Sequence, residues 1–129
     1  MKRTIVVTFL FAISLLSGCG KMAEPIDIPS KDAVTSIEVM TSDGADENIT
    51  ETAQIEMIMN DLNAAEPTRL QSVNDQPTNV DVYGTVSIKT AGEVVVLYYY
   101  DKDGKHYIEQ PYSGIYELAE SIEDRLLGR

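Results

Sequence analysis

The sequence predicts an α+β domain: a four-stranded, mainly antiparallel sheet with two helices packed on one face, in the order β-α-β-β-β-α, following a signal peptide. Three observations carry this. Val80 to Tyr116 contains three stretches of strand-like residues joined by tight turns, which forces antiparallel neighbours. Two further segments repeat apolar residues at helical spacing. One more alternating segment, Ala33 to Met40, precedes the first helix.

Met1 to Cys19 stands apart from that domain. Lys2 and Arg3 precede an apolar run from Ile5 to Leu16, and Leu16-Ser17-Gly18-Cys19 follows. A spanning helix needs roughly 20 apolar residues, and this run is shorter. Cations, a short apolar stretch and small residues before a cut site describe a secretory signal. The four-residue ending resembles a bacterial lipobox, which predicts cleavage after residue 18 and diacylglycerol on Cys19. Removal of 18 from 129 residues leaves 111, enough for one small domain.

The mature chain loses Lys2 and Arg3 from its ten bases, leaving eight against 21 acids and a net charge of −13. Phosphate binding needs clustered cations, so nucleic acid is not expected as a partner. A cationic protein or peptide is a natural complement. Attachment to the membrane falls to the lipid on Cys19, and stable anchoring needs more than one acyl chain. The expected location is therefore the extracytoplasmic face of the cell membrane. Cys19 is the only cysteine, so no disulfide supports the fold and packing alone must. There is no tryptophan, and both phenylalanines lie in the leader. Ile, Val, Leu, Met and Tyr must form the core.

Residues 19–32, with Pro25 and Pro29 and no sustained period, read as the lipidated Cys and a flexible tether, which places the domain at 33–129. In the first strand Thr35, Ile37 and Val39 alternate with Ser36 and Glu38. The polar run Thr41 to Asn48 reads as a loop. Ile55, Ile58, Met59 and Leu62 then form one helical stripe over about 51–65, with Thr50 as the N-cap and Pro67 as the stop. Residues 67–78 form a connection long enough to be a candidate surface. Val80 to Lys89 alternates cleanly, Ala91-Gly92 turns, and Val94 to Tyr100 reads as a central strand. Asp101 to Lys105 is a second hairpin turn, followed by a strand over His106 to Gln110. Tyr112 to Tyr116 is expected to lead into a last helix with Leu118, Ala119, Ile122 and Leu126 on its apolar face.

No catalytic set emerges. His106 is the only histidine, Cys19 is committed to lipid, and neither a nucleophile elbow nor a Gly-rich phosphate loop occurs. One histidine cannot furnish a zinc site. The acidic runs at Thr41 to Asn48 and Asp101 to Lys105 lack the ligand pattern of a calcium loop. The expectation is a non-enzyme with no metal and no cofactor.

Six of the seven tyrosines fall in Tyr98-Tyr99-Tyr100 and in Tyr107 to Tyr116. Tyrosine offers a stiff contact surface with a polar tip. The segment Tyr107, Glu109, Pro111, Tyr112, Gly114, Tyr116 is a candidate binding surface. The simpler reading is that these tyrosines replace the missing Phe and Trp in the core, with Pro111 and Gly114 shaping a corner. Ser72-Val73-Asn74-Asp75-Gln76-Pro77, together with Lys105 to Tyr116, resembles a family of small Gram-positive lipoproteins whose shared domain has no known function. The resemblance covers residues 33–127 and adds Asn74 and Asp75 to the candidate surface. It implies a surface location and carries no activity. The functional expectation is a membrane-anchored binding module of unknown partner. The alternatives are an immunity or inhibitor lipoprotein that sequesters a cationic toxin or enzyme, and, more remotely, a small hydrolase.

Overall fold

A computed structural model describes residues 21–127. The leader and Cys19 lie outside the described residues. Seven strands form one antiparallel sheet in the order β2-β1-β4-β5-β6-β7-β3. In chain order they are β1 Val34–Met40, β2 Asp46–Ile49, β3 Glu66–Pro67, β4 Gly84–Thr90, β5 Val94–Lys102, β6 Lys105–Gln110 and β7 Gly114–Leu118. Helix α1, Thr52–Asn63, follows β2, and α2, Ile122–Leu127, ends the described chain. No helix among the described residues is long and apolar enough to cross a membrane.

The expected four-stranded sheet with two helices in the order β-α-β-β-β-α is therefore corrected to seven strands and two short helices. The three consecutive hairpin-linked strands are present as β4, β5 and β6, with Ile88 opposite Val95 and Tyr99 opposite Ile108. Asp103 (φ 52°) and Gly104 (φ 76°) make the two-residue β5–β6 turn, the backbone shape that matches strand twist. β1 lies beside β4, with Ile37 opposite Ile88.

The three unforeseen strands were hidden for different reasons. β2 is an edge strand whose Asp46, Glu47 and Asn48 are exposed and whose Ile49 alone points inward. It has no apolar pattern to read, and its charge suits an unpaired edge. β3 is two residues long and ends on Pro67 at the other edge, where a residue without an N–H is tolerated. β7 was expected to begin a helix, but Gly114, Ile115, Tyr116 and Leu118 are all buried. Coverage on both faces erases the alternation that marks a half-buried strand.

α1 buries Ile55, Ile58, Met59 and Leu62 as its spacing predicts, while Glu51 rather than Thr50 is the N-cap residue. With Ile122 they pack on Ile37, Val39, Val86, Ile88, Leu97, Ile108, Tyr116 and Leu118. Both helices thus share one face of the sheet. α2 is fastened by Arg125, whose guanidinium donates to both carboxylate oxygens of Asp61 on α1 at 2.7 and 3.1 Å. Gly84 is required by packing: a Cβ there would overlap the Tyr99 ring.

The segment read as a flexible tether is docked from Ala23 onward. The Ala23 N–H donates to the Thr68 carbonyl at 3.0 Å. Asp27 and Gln110 exchange hydrogen bonds of 2.9 and 2.7 Å. Ala23, Ile26 and Ile28 pack against the core.

Candidate binding surface

The opposite face of the sheet is covered by a loop rather than a helix. Strand pairing places Tyr98, Tyr100, Tyr107, Glu109 and Ile115 on this side, and residues 68–83 cross over it. Thr68 ties the start of the loop to β7, its N–H and Oγ1 both donating to the Ile115 carbonyl at 3.1 and 2.7 Å. Ser72 is buried and its Oγ donates to Glu109 Oε1 at 2.7 Å. The Tyr100 hydroxyl donates to Glu109 Oε2 at 3.2 Å. Glu109 is only 3% exposed. A carboxylate with two good donors tolerates that burial, and either donor lost would leave it underpaired. Burial, more than the nearby Glu109 charge, raises the Tyr100 pKa well above its ordinary value and keeps the hydroxyl a donor.

At the end of the loop stands the β6–β7 turn. The Ser113 N–H donates to the Gln110 carbonyl at 3.0 Å. Tyr112 occupies the left-handed region, with φ of 61°, which is uncommon for a large side chain. That conformation turns its ring outward, 67% exposed, and its hydroxyl donates to Asp75 Oδ1 at 2.5 Å. The hydrogen bond to Asp75 raises the Tyr112 pKa.

The predicted site residues thus separate. Tyr112 and Asp75 meet at the surface, beside half-buried Pro111 and exposed Asn74. Tyr116 is fully buried on the helix face, its hydroxyl donating to the Glu24 carbonyl at 2.6 Å. Burial chiefly raises its pKa. Gly114 is buried against Ala23, with no room for a Cβ. Tyr107 stacks on Tyr100, ring centroids 5.7 Å apart. Glu109 fastens the loop. Glu109, Gly114 and Tyr116 are buried and Tyr107 is half-buried; residues 21–127 contain neither Phe nor Trp, and tyrosine serves there as the large aromatic of the packed interior.

Sequence reasoning missed the apolar members of the surface. Met22 (49% exposed), Leu70 (47%) and Val73 (64%) line one groove of about 250 Å³ together with Tyr112. Their signal was present as single apolar residues in polar segments, but a lone exposed apolar residue is ordinary, and only the fold gathers these four. A second cavity, of about 310 Å³, lies under the loop between Val73, Asn79, Lys102 and Glu109. At the other end of the sheet, His106 Nδ1 lies 2.7 Å from Asp101 Oδ1. No cluster of three or more His, Cys, Asp or Glu placed to hold a metal occurs among the described residues.

Residues 22–117 match the family DUF5301, described as "Domain of unknown function (DUF5300)". The chain belongs to this family. A solved structure described as "NMR structure of the protein from Ruminococcus gnavus", a Firmicute, is 31% identical. It superimposes with a TM-score of 0.68, covering 78% of this chain and 97% of that one. No curated protein matches. The family match begins at residue 22, next to the first docked residue, Ala23, rather than at 33.

Proposed function

We propose that this member of the DUF5301 family is a lipoprotein, held on the extracytoplasmic face of the cell membrane through Cys19, and that it acts there as a non-catalytic binding module. Its contact surface is the corner at which the loop 68–83 meets the β6–β7 turn. The observation that carries the reading is the convergence of Met22, Leu70, Val73 and Tyr112, all exposed, on one groove. Exposed apolar side chains gathered into one patch mark interaction surfaces. The leader pattern ending in Leu16-Ser17-Gly18-Cys19 supports the anchor. Tyr112→Ala tests the corner. It removes an exposed ring and one surface hydrogen bond, so the fold is expected to survive and contact at the corner to weaken; binding that is unchanged sinks the proposal. A Cys19→Ser protein that still fractionates with membranes after export sinks the anchor.

A second reading rests on the far edge of the sheet. Exposed Asp46 and Glu47 of β2 lie beside Asp43 and Glu123, five strand spacings or about 24 Å from β7. An acidic strand with an unpaired edge suits a cationic toxin or enzyme held at the membrane. Affinity for a cationic protein should then fall steeply as salt rises through physiological strength. A salt-insensitive complex excludes this reading.

A further inference from the structure

The corner patch surrounds the place where the chain enters the domain. Met22 belongs to the patch itself, and Ala23 is already fixed by its hydrogen bond to Thr68. Glu24 is held by the Tyr116 hydroxyl and Asp27 by Gln110. From Cys19 to Ala23 there are four residues, which span at most about 14 Å when fully extended. A lipid on Cys19 therefore keeps this corner within about 14 Å of the bilayer surface.

We infer that the occupant of the corner patch is the bilayer itself: Met22, Leu70, Val73 and Tyr112 rest in the lipid headgroup region, and the domain stands on the membrane with one side down. The inference rests on the lipid anchor proposed above and names the partner of that surface. Three features agree. The patch combines aliphatic side chains with a tyrosine, a residue whose apolar ring and polar tip suit the water–lipid boundary. Two of the eight bases of the mature chain, Lys21 and Arg69, are exposed and adjoin Met22 and Leu70 in sequence. The neighbouring acids are engaged locally, Asp75 by the Tyr112 hydroxyl and Glu24 by Lys21 at 3.6 Å. Lys21 and Arg69 thus offset Glu24 and Asp75 at this corner, so anionic headgroups meet less repulsion here than at the acidic β2 edge.

Tethering supplies the rest. Four exposed side chains would hold a free domain only weakly, but a short leash makes the second contact intramolecular and raises its effective concentration to the millimolar range. The same leash disfavours a protein occupant. A partner domain of about 100 residues has a radius of gyration near 13 Å, too large for a gap that four residues can span. The acidic β2 edge is on the opposite side of the sheet and faces away from the membrane.

The test uses the full chain, exported and processed in its own cell type. Lipid on Cys19 consumes the only thiol, so Val73→Cys and Glu47→Cys each introduce a single site for an environment-sensitive dye. The labelled proteins are placed on vesicles of phosphatidylglycerol and phosphatidylethanolamine with brominated acyl chains. Dye at 73 is expected to be quenched several-fold more than dye at 47. Equal quenching at both sites on vesicle-bound protein overturns the inference and leaves the anchor intact. Dye at 73 that moves to an apolar environment without lipid quenching overturns it in favour of a protein occupant or a second copy. Uptake of dye by the unsubstituted protein reveals a free Cys19, in which case the anchor fails and the inference falls with it.

Discussion

Gly114→Ala isolates the contact that turns the N-terminal segment from a tether into part of the domain. Gly114 does not occupy the left-handed region, so alanine fits its backbone. The obstacle is purely steric: the new Cβ would collide with Cβ of Ala23 and lie 3.2 Å from the Tyr116 hydroxyl. One extra carbon in a filled site costs about 1–3 kcal/mol. For a domain of this size each kcal/mol lowers the melting temperature by about 4–8 °C. The strap can relieve the collision by lifting off, which forfeits the Ala23–Thr68 and Tyr116–Glu24 hydrogen bonds. Urea unfolding should therefore show a lower midpoint, and hydrogen exchange at the residue 23 amide should accelerate far more than at amides of β4 or β5. Ala23→Gly in the same chain removes the colliding atom. The double variant is expected to recover stability relative to the sum of the single changes, by more than the roughly 0.5 kcal/mol scatter of additivity. If the two changes simply add, or if residue 23 exchanges freely in the unaltered protein, the strap is not docked through this contact.

Three further outcomes follow from the packing. Ser72→Ala leaves Glu109 buried with Tyr100 as its remaining side-chain donor, so a loss of about 1–3 kcal/mol is expected, with limited proteolysis appearing first within 68–83. Leu62→Ala, at a fully buried position of α1, should cost about 2–5 kcal/mol. Met57→Ala, off the buried stripe on the same helix, should cost far less; equal thermal shifts would refute the assigned helix face. Tyr99, Tyr100 and Tyr116 all have pKa values raised chiefly by burial above the ordinary 10.0. Above pH 10 the folded chain then binds more protons than the unfolded one, so stability is intact below pH 10 and declines as pH rises beyond it. Tyrosinate absorbance from these three should appear together with the loss of near-ultraviolet circular dichroism. Tyrosinates that form gradually in a chain that stays folded would contradict the burial.

Local pattern reaches some parts of this fold and not others. The β4–β5–β6 meander was legible because each strand carries its own residue signature and each turn its own geometry, as at Asp103-Gly104. The α1 stripe was legible for the same reason: Ile55, Ile58, Met59 and Leu62 meet the core at a spacing dictated by one helix alone. β2, β3 and β7 were not, since an exposed edge, a two-residue pairing and a strand covered on both faces leave no periodic trace. Within the candidate surface, Asp75 and Tyr112 could be singled out in sequence, but 37 residues separate them, and their hydrogen bond exists only because Thr68 and Ser72 pin the loop to β7 and β6.

The sequence by itself determined the leader pattern at Cys19, the acidic charge, and the secondary structure that depends on near neighbours. Tertiary structure decided which tyrosines are core and which is surface, that the segment from Ala23 onward docks on the sheet, and that Met22, Leu70, Val73 and Tyr112 form one patch. The reason is physical. Periodicity and turn chemistry act over a few residues, whereas burial on both faces, sheet-edge position and the meeting of Ala23 with Gly114 depend on contacts between distant parts of the chain that only the completed sheet brings together.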